Sequence, residues 1–108
     1  MDTQLLWGAL DMLILDVLSH GPNYGYQITQ TVLERSLGHF ELKEGSLYPA
    51  LHRLERQKAL SSYWTAPEDG RRRKNYKITA AGLRTLEAKR QEWRQFSAGV
   101  SGVLGSAR

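Results

Sequence analysis

Between Lys43 and Arg56 the apolar residues Leu47, Ala50, Leu51 and Leu54 fall on one narrow stripe of a helix turning about 100° per residue. The opposite face then carries Gly45, Pro49, His52, Arg53 and Arg56, with Ser46 and Tyr48 on its flanks. Pro49 is tolerated only near a helix start, where amides lack intrahelical acceptors, so this helix begins close to Glu44 to Ser46. Upstream, Leu6, Leu10, Leu13, Ile14, Val17 and Leu18 predict a first helix, capped by Asp2 or Thr3 and stopped before Gly21-Pro22. Leu5, Met12 and Leu15 widen its apolar surface, which reads equally as a helix covered all round or as one that also faces a partner chain. A second helix is expected from Tyr24 to about Ser36, with Asn23 as its cap, Ile28, Val32 and Leu33 inward, and Gly25 allowing close packing. Gly38 ends it, and Phe40-Glu41-Leu42 leads in extended form to the third helix.

Downstream the pattern changes. The runs Leu60 to Thr65 and Lys74 to Thr79 are rich in β-formers, and Pro67-Glu68-Asp69-Gly70 between them is turn chemistry, which predicts a hairpin or wing. Thr79 can cap a last helix from Ala80 to about Val103, along which Leu86, Trp93, Phe96 and Val100 recur near heptad spacing. A small winged domain has no surface left to cover that stripe, so it is expected to be a dimer seam, with an end frayed by Gly99, Gly102 and Gly105. The fold class is therefore mainly α with a small β-hairpin. Residues 1–79 form a winged helix-turn-helix, and residues 80–108 a dimerisation helix and tail.

The chain of 108 residues suits one compact core and leaves no room for a second, enzyme-sized domain. Its formal charge of +4 favours an anionic partner, and the distribution matters more than the sum. Positive charge gathers at Arg53, Arg56 and Lys58 and at Arg71, Arg72, Arg73 and Lys74 on the hairpin tip. A helix with a polar outer face beside a basic hairpin points to double-stranded DNA. Cysteine is absent, which excludes a disulfide framework and a zinc finger. The apolar run from Leu5 to Leu18 is interrupted by Asp11 and Asp16 and is shorter than the roughly 20 residues of a membrane span, so a cytoplasmic protein is expected.

With these elements in place the chain resembles the PadR-type transcriptional regulators, specifically their short members with a single C-terminal helix. The resemblance rests on Leu10-Asp11-Met12-Leu13-Ile14-Leu15, on Gly21-Pro22 followed by Tyr24-Gly25-Tyr26-Gln27-Ile28, on Lys43 through Glu55, and on Gly70 through Thr79 followed by Ala81-Gly82. It implies a homodimeric bacterial DNA-binding repressor whose third helix reads the major groove through Ser46, Tyr48, Pro49 and His52. Its wing, Arg71 to Lys74, would touch backbone or minor groove. One position departs from the pattern: Lys58 stands where such proteins usually carry glycine, at a left-handed helix exit.

Base edges or phosphates are within the chemistry of Ser46, Tyr48 and His52, and Arg53 or Arg56 can pair with guanine or phosphate. Trp7, Trp93 and Phe96 form a candidate pocket for a flat aromatic effector across the dimer, the plainer reading being interface packing. His20, His39 and His52 lie far apart without a paired ligand at helical spacing, so neither a metal site nor another cofactor is expected. No nucleophile elbow, phosphate loop or convergent carboxylate set supports an enzyme. The rival class is a winged-helix protein-interaction module without specific DNA binding, which salt-insensitive or absent DNA binding would favour.

Overall fold

Four helices surround a small sheet in the computed structural model, which describes residues 3–67 and 69–105, with side chains from residue 8 onward. The elements in chain order are α1 (Thr3–Ser19), β1 (Asn23–Tyr24), α2 (Gly25–Arg35), α3 (Glu44–Arg56), β2 (Leu60–Thr65), β3 (Arg73–Ile78) and α4 (Ala80–Leu104). This is a winged helix-turn-helix whose last helix runs on past the body. Asp2, one of the two expected caps of α1, and the side chains of Leu5, Leu6 and Trp7 lie outside the described residues.

The apolar stripes converge as their spacing predicts. Ile14 and Leu18 of α1, Ile28 and Val32 of α2, and Leu47, Ala50, Leu51 and Leu54 of α3 are all buried in one core. Leu15, which the sequence left open to a partner chain, is fully buried in the same core, so much of the breadth of α1 is used within its own chain. Leu86 requires a correction of the same kind. Grouped by heptad spacing with the dimer seam, it is 1% exposed and packs in the core of its own chain. The core thus continues across the expected boundary between residues 79 and 80.

Two helix exits carry unusual backbone. After α3, Lys58 has φ 63°, its N–H donates to Glu55 O, and Ala59 N–H donates to Leu54 O at 2.9 Å. This is the Schellman pattern, kept by a lysine where glycine would avoid roughly 1 kcal/mol of left-handed strain. α2 ends likewise, but its left-handed residue is Leu37 (φ 55°), one position before the glycine expected to stop the helix, and Gly38 N–H donates to Leu33 O at 2.8 Å.

The sheet has three strands rather than two, in the order β1-β3-β2. β1 pairs antiparallel with β3 through Asn23 opposite Tyr76 and Tyr24 opposite Asn75. Asn23 is therefore a strand residue, and its Oδ1 accepts from the neighbouring Tyr24 N–H while the cap position of α2 passes to Tyr24. Thr79 does cap α4, its Oγ1 accepting from Gly82 N–H at 3.0 Å. α4 continues through Gly99 and Gly102 without a break and stops at Gly105, whose left-handed φ of 68° closes it. No helix among the described residues is long and apolar enough to cross a membrane.

Candidate nucleic-acid interface

Burying Leu47, Ala50, Leu51 and Leu54 turns the other side of α3 outward, so Gly45, Pro49, His52 and Arg56 are exposed and Ser46 is half-buried beside them. Glu44 in the first turn complements the positive end of the helix dipole, and Arg53 and Arg56 in the last turn complement the negative end. Tyr48 is partly exposed, with its ring across the first turn of α2: a Cβ built on Gly25 would stand 2.6 Å from its Oη. Gly25 is thus the space that Tyr48 occupies, which fixes how α2 crosses α3.

Arg53 sits differently. Its Nη2 donates to Asp11 Oδ1 of α1, and both side chains are partly buried, so the guanidinium ties α3 to α1 instead of standing free on the outer face. A second carboxylate of α1, Asp16, accepts from Arg90 of α4 and lies 3.5 Å from Arg35 of α2. α1 is thereby pinned to three helices by charge as well as by its apolar stripe. Beside that cluster is a cleft of about 320 Å³ lined by Met12, Leu13, Val17, Val32 and Phe40 among others, and neither Trp93 nor Phe96 lines it.

The wing is joined to α3 through Glu55. Its carboxylate accepts from Ser62 Oγ on β2 and from Lys74 Nζ on β3 at 3.3 Å. The Ser62 hydrogen bond is the main reason its carboxyl is held below the usual carboxylate range, with Lys74 adding to it against the opposing effect of burial. Lys74 is kept protonated: burial works against its charge, and the neighbouring Tyr76 and Glu55 outweigh it. Because the folded pKa of Glu55 is depressed, its stabilisation is full above about pH 4.5 and is lost as pH falls through the folded value. Thermal melts from pH 7 to pH 3 should therefore show Glu55→Gln less stable by about 1–2 kcal/mol at pH 7 and converging on the parent at the acid end. Parallel melting curves would show that Glu55 contributes no charge-dependent stability.

At the wing tip Gly70 (φ 79°) turns the chain, its N–H donating to Pro67 O at 2.9 Å. Asp69 accepts from Arg71 N–H at 3.0 Å and from Arg73 Nη2 at 2.8 Å. The backbone bond from Arg71, with Arg73 beside it, holds the Asp69 carboxyl below its ordinary value. Of the four basic residues the sequence grouped here, Arg73 and Lys74 are thus engaged with carboxylates of their own chain. Arg71 and Arg72 are exposed and, like Arg56, meet no carboxylate among the described residues. On α4, Trp93 and Phe96 are 50% and 62% exposed with ring centroids 5.9 Å apart, and Val100, Val103 and Leu104 continue the exposed apolar run. The side chain of Trp7, the third candidate of that group, lies outside the described residues.

The exposure of these residues follows from local sequence pattern, and the ties behind them do not. Asp11 and Arg53 are separated by 42 positions and Asp16 and Arg90 by 74, so no local pattern announces either pair. Among the described residues no cluster of metal-ligating side chains occurs.

An outward-facing helix with hydroxyl, imidazole and guanidinium groups, braced to a basic hairpin, defines a winged-helix DNA-binding protein of the transcription-regulator class. The comparisons narrow it. The Transcriptional regulator PadR-like family matches residues 14–88, and the chain belongs to that family. It is similar to a transcriptional regulator of Clostridium thermocellum, with a TM-score of 0.86 and 29% identity over 94% of this chain and 96% of that one. It is also similar to a PadR family transcription regulator of Clostridium difficile, with a TM-score of 0.78 and 39% identity over 89% and 98%. Among curated relatives, protein X of Lysinibacillus sphaericus is 34% identical over 84% of each chain. The transcriptional regulator YqjI of Escherichia coli is 28% identical over 79% of this chain but only 39% of its own length. Family and neighbours are regulators and not enzymes.

Proposed function

We propose that this chain is a cytoplasmic homodimeric repressor that occludes a promoter by binding an inverted-repeat operator. The observation that carries the reading is the exposed face of α3, with Ser46, Tyr48, Pro49, His52 and Arg56, braced through Glu55 to a wing whose Arg71 and Arg72 are free of carboxylate partners among the described residues. In this reading two symmetry-related α3 helices enter successive major grooves about 34 Å apart. Residues at the start of α3 choose sequence, and Arg56, Arg71 and Arg72 supply affinity by neutralising phosphate. Trp93 and Phe96 of both copies meet across the seam. Their exposed, tilted pair supports an aromatic effector inserting there.

The test begins with selection of duplexes from a random-sequence library by the purified protein, followed by salt titrations on a selected and a random 30-bp duplex. His52→Ala is expected to cost roughly 1–3 kcal/mol on the selected duplex and much less on the random one. Equal losses would make it a phosphate contact. Failure to enrich any sequence, with salt-insensitive binding, would reject the DNA reading in favour of a protein-interaction module.

A further inference from the structure

The four wing cations stand on different faces of the hairpin. Trp64 pairs with Lys74 across β2 and β3, as Ser62 does with Tyr76 and Leu60 with Ile78. Residues two apart in a strand share a face, so Leu60, Ser62 and Trp64 look to the same side as Lys74 and Tyr76, and Arg72, one residue before β3, joins that side by lying over the Trp64 ring. That side faces α3, because Ser62 and Lys74 both reach Glu55 there and Leu60 and Tyr76 are buried. Arg73 lies on the other side, over the Tyr24 ring at 5.1 Å and bonded to Asp69.

Beyond the buried part of the α3-facing side, Trp64 stands 56% exposed, and the Arg72 guanidinium lies over its indole, 4.8 Å from the ring centroid. A half-exposed tryptophan presents a ring face on which a cation can rest, and among the described residues its cation–π partner is a wing cation that meets no carboxylate there. A free arginine must give up about 2 kcal/mol of rotamer freedom to hold one pose, and a guanidinium already stacked on an indole has given up part of it before DNA arrives.

We propose that Trp64 is a positioning residue for DNA binding: its indole holds Arg72 extended on the α3-facing side of the wing, aimed at the duplex that α3 engages. The inference rests on the DNA-binding reading above and assigns Arg72's share of the wing's contribution to one stacked pair, with Arg73 tied to Asp69 in the turn and Lys74 tying the hairpin to α3.

The test compares wild type, Trp64→Ala, Trp64→Phe, Arg72→Ala, Arg73→Ala and the Trp64→Ala/Arg72→Ala double variant by fluorescence anisotropy on a 30-bp duplex selected by the wild type. Trp64→Ala should weaken binding about 5-fold with an unchanged salt slope, since the cation is still present but no longer held. Arg72→Ala should weaken it further and reduce the salt slope by about 1. The double variant should bind no more weakly than Arg72→Ala, and Trp64→Phe should retain most of the affinity because a phenyl face also supports a guanidinium. Losses that multiply in the double variant, or a Trp64→Ala protein that binds as wild type does, would overturn the positioning role. Melting curves accompany each variant, and the coupling to Arg72 is a readout that a general structural defect would not produce. A wild type that binds no duplex would instead sink the DNA reading itself.

Discussion

Replacing Gly82 with alanine is expected to destabilise the folded domain by on the order of 3 kcal/mol, since among the glycines a Cβ here meets the tightest surroundings. Gly82 is buried in the first turn of α4 where the helix crosses the exit of α3. A Cβ there would stand inside the van der Waals contact of the Ala59 carbonyl oxygen and 2.7 Å from Ile78 Cγ1. Neither neighbour can yield cheaply. The Ala59 carbonyl accepts from Thr79 N–H at 3.0 Å and Thr79 Oγ1 at 3.1 Å, and Ala59 itself closes the Schellman turn after α3. Moving α4 outward would break those bonds and lift Leu86 from the core. For a domain whose total stability is about 5–15 kcal/mol, such a loss is a large fraction. Urea denaturation followed by circular dichroism gives the comparison, with Gly45→Ala as control, since a Cβ there meets nothing within 4 Å. Equal midpoints for the two variants would show that the α3–α4 junction has slack that the packing does not reveal.

The same junction shows why the sequence was legible in some places and silent in others. Thr79 before Ala80 is a local signal, a capping residue one step ahead of a helical run, and the cap forms as expected. The stripe Leu47, Ala50, Leu51, Leu54 is also local, and it placed the outer face of α3 without any tertiary information. β1 is different. Two residues have no period, and Asn23 and Tyr24 become a strand only because β3 offers an edge to pair with. Leu86 shows a third case: heptad spacing marks a residue as covered, but own core and partner chain satisfy that pattern equally. Only the packing of α4 against α1 decides it for the own core. Charge was legible as a cluster and not as a partition. The run Arg71 to Lys74 reads as four equivalent cations until folding brings Asp69 and Glu55 beside two of them.

Trp93→Glu is expected to give monomers, and with them a loss of affinity for a two-half-site duplex of about 100-fold or more, since binding two linked sites multiplies what each contributes. With Leu86 withdrawn into the core, the proposed seam on α4 consists of Trp93, Phe96, Val100, Val103 and Leu104, all exposed on one chain, the last two at 88% and 73%. A run of that size on a helix that reaches past the winged body, in a molecule 54 Å in its longest extent, is far more apolar surface than solvated helices display. Two copies meeting there bury each Trp93 against its counterpart's stripe, and a carboxylate at that position would enter twice, unpaired, at several kcal/mol per copy. Leu86, fully interior, should behave oppositely: Leu86→Ala lowers the melting temperature while leaving the association state of the folded fraction unchanged. Analytical ultracentrifugation at micromolar concentration separates the two. A Trp93→Glu protein that still sediments as a tight dimer would move the seam to α1, where Met12 and Leu13 remain half-buried along the cleft, and would remove the basis for an effector stacked between Trp93 and Phe96.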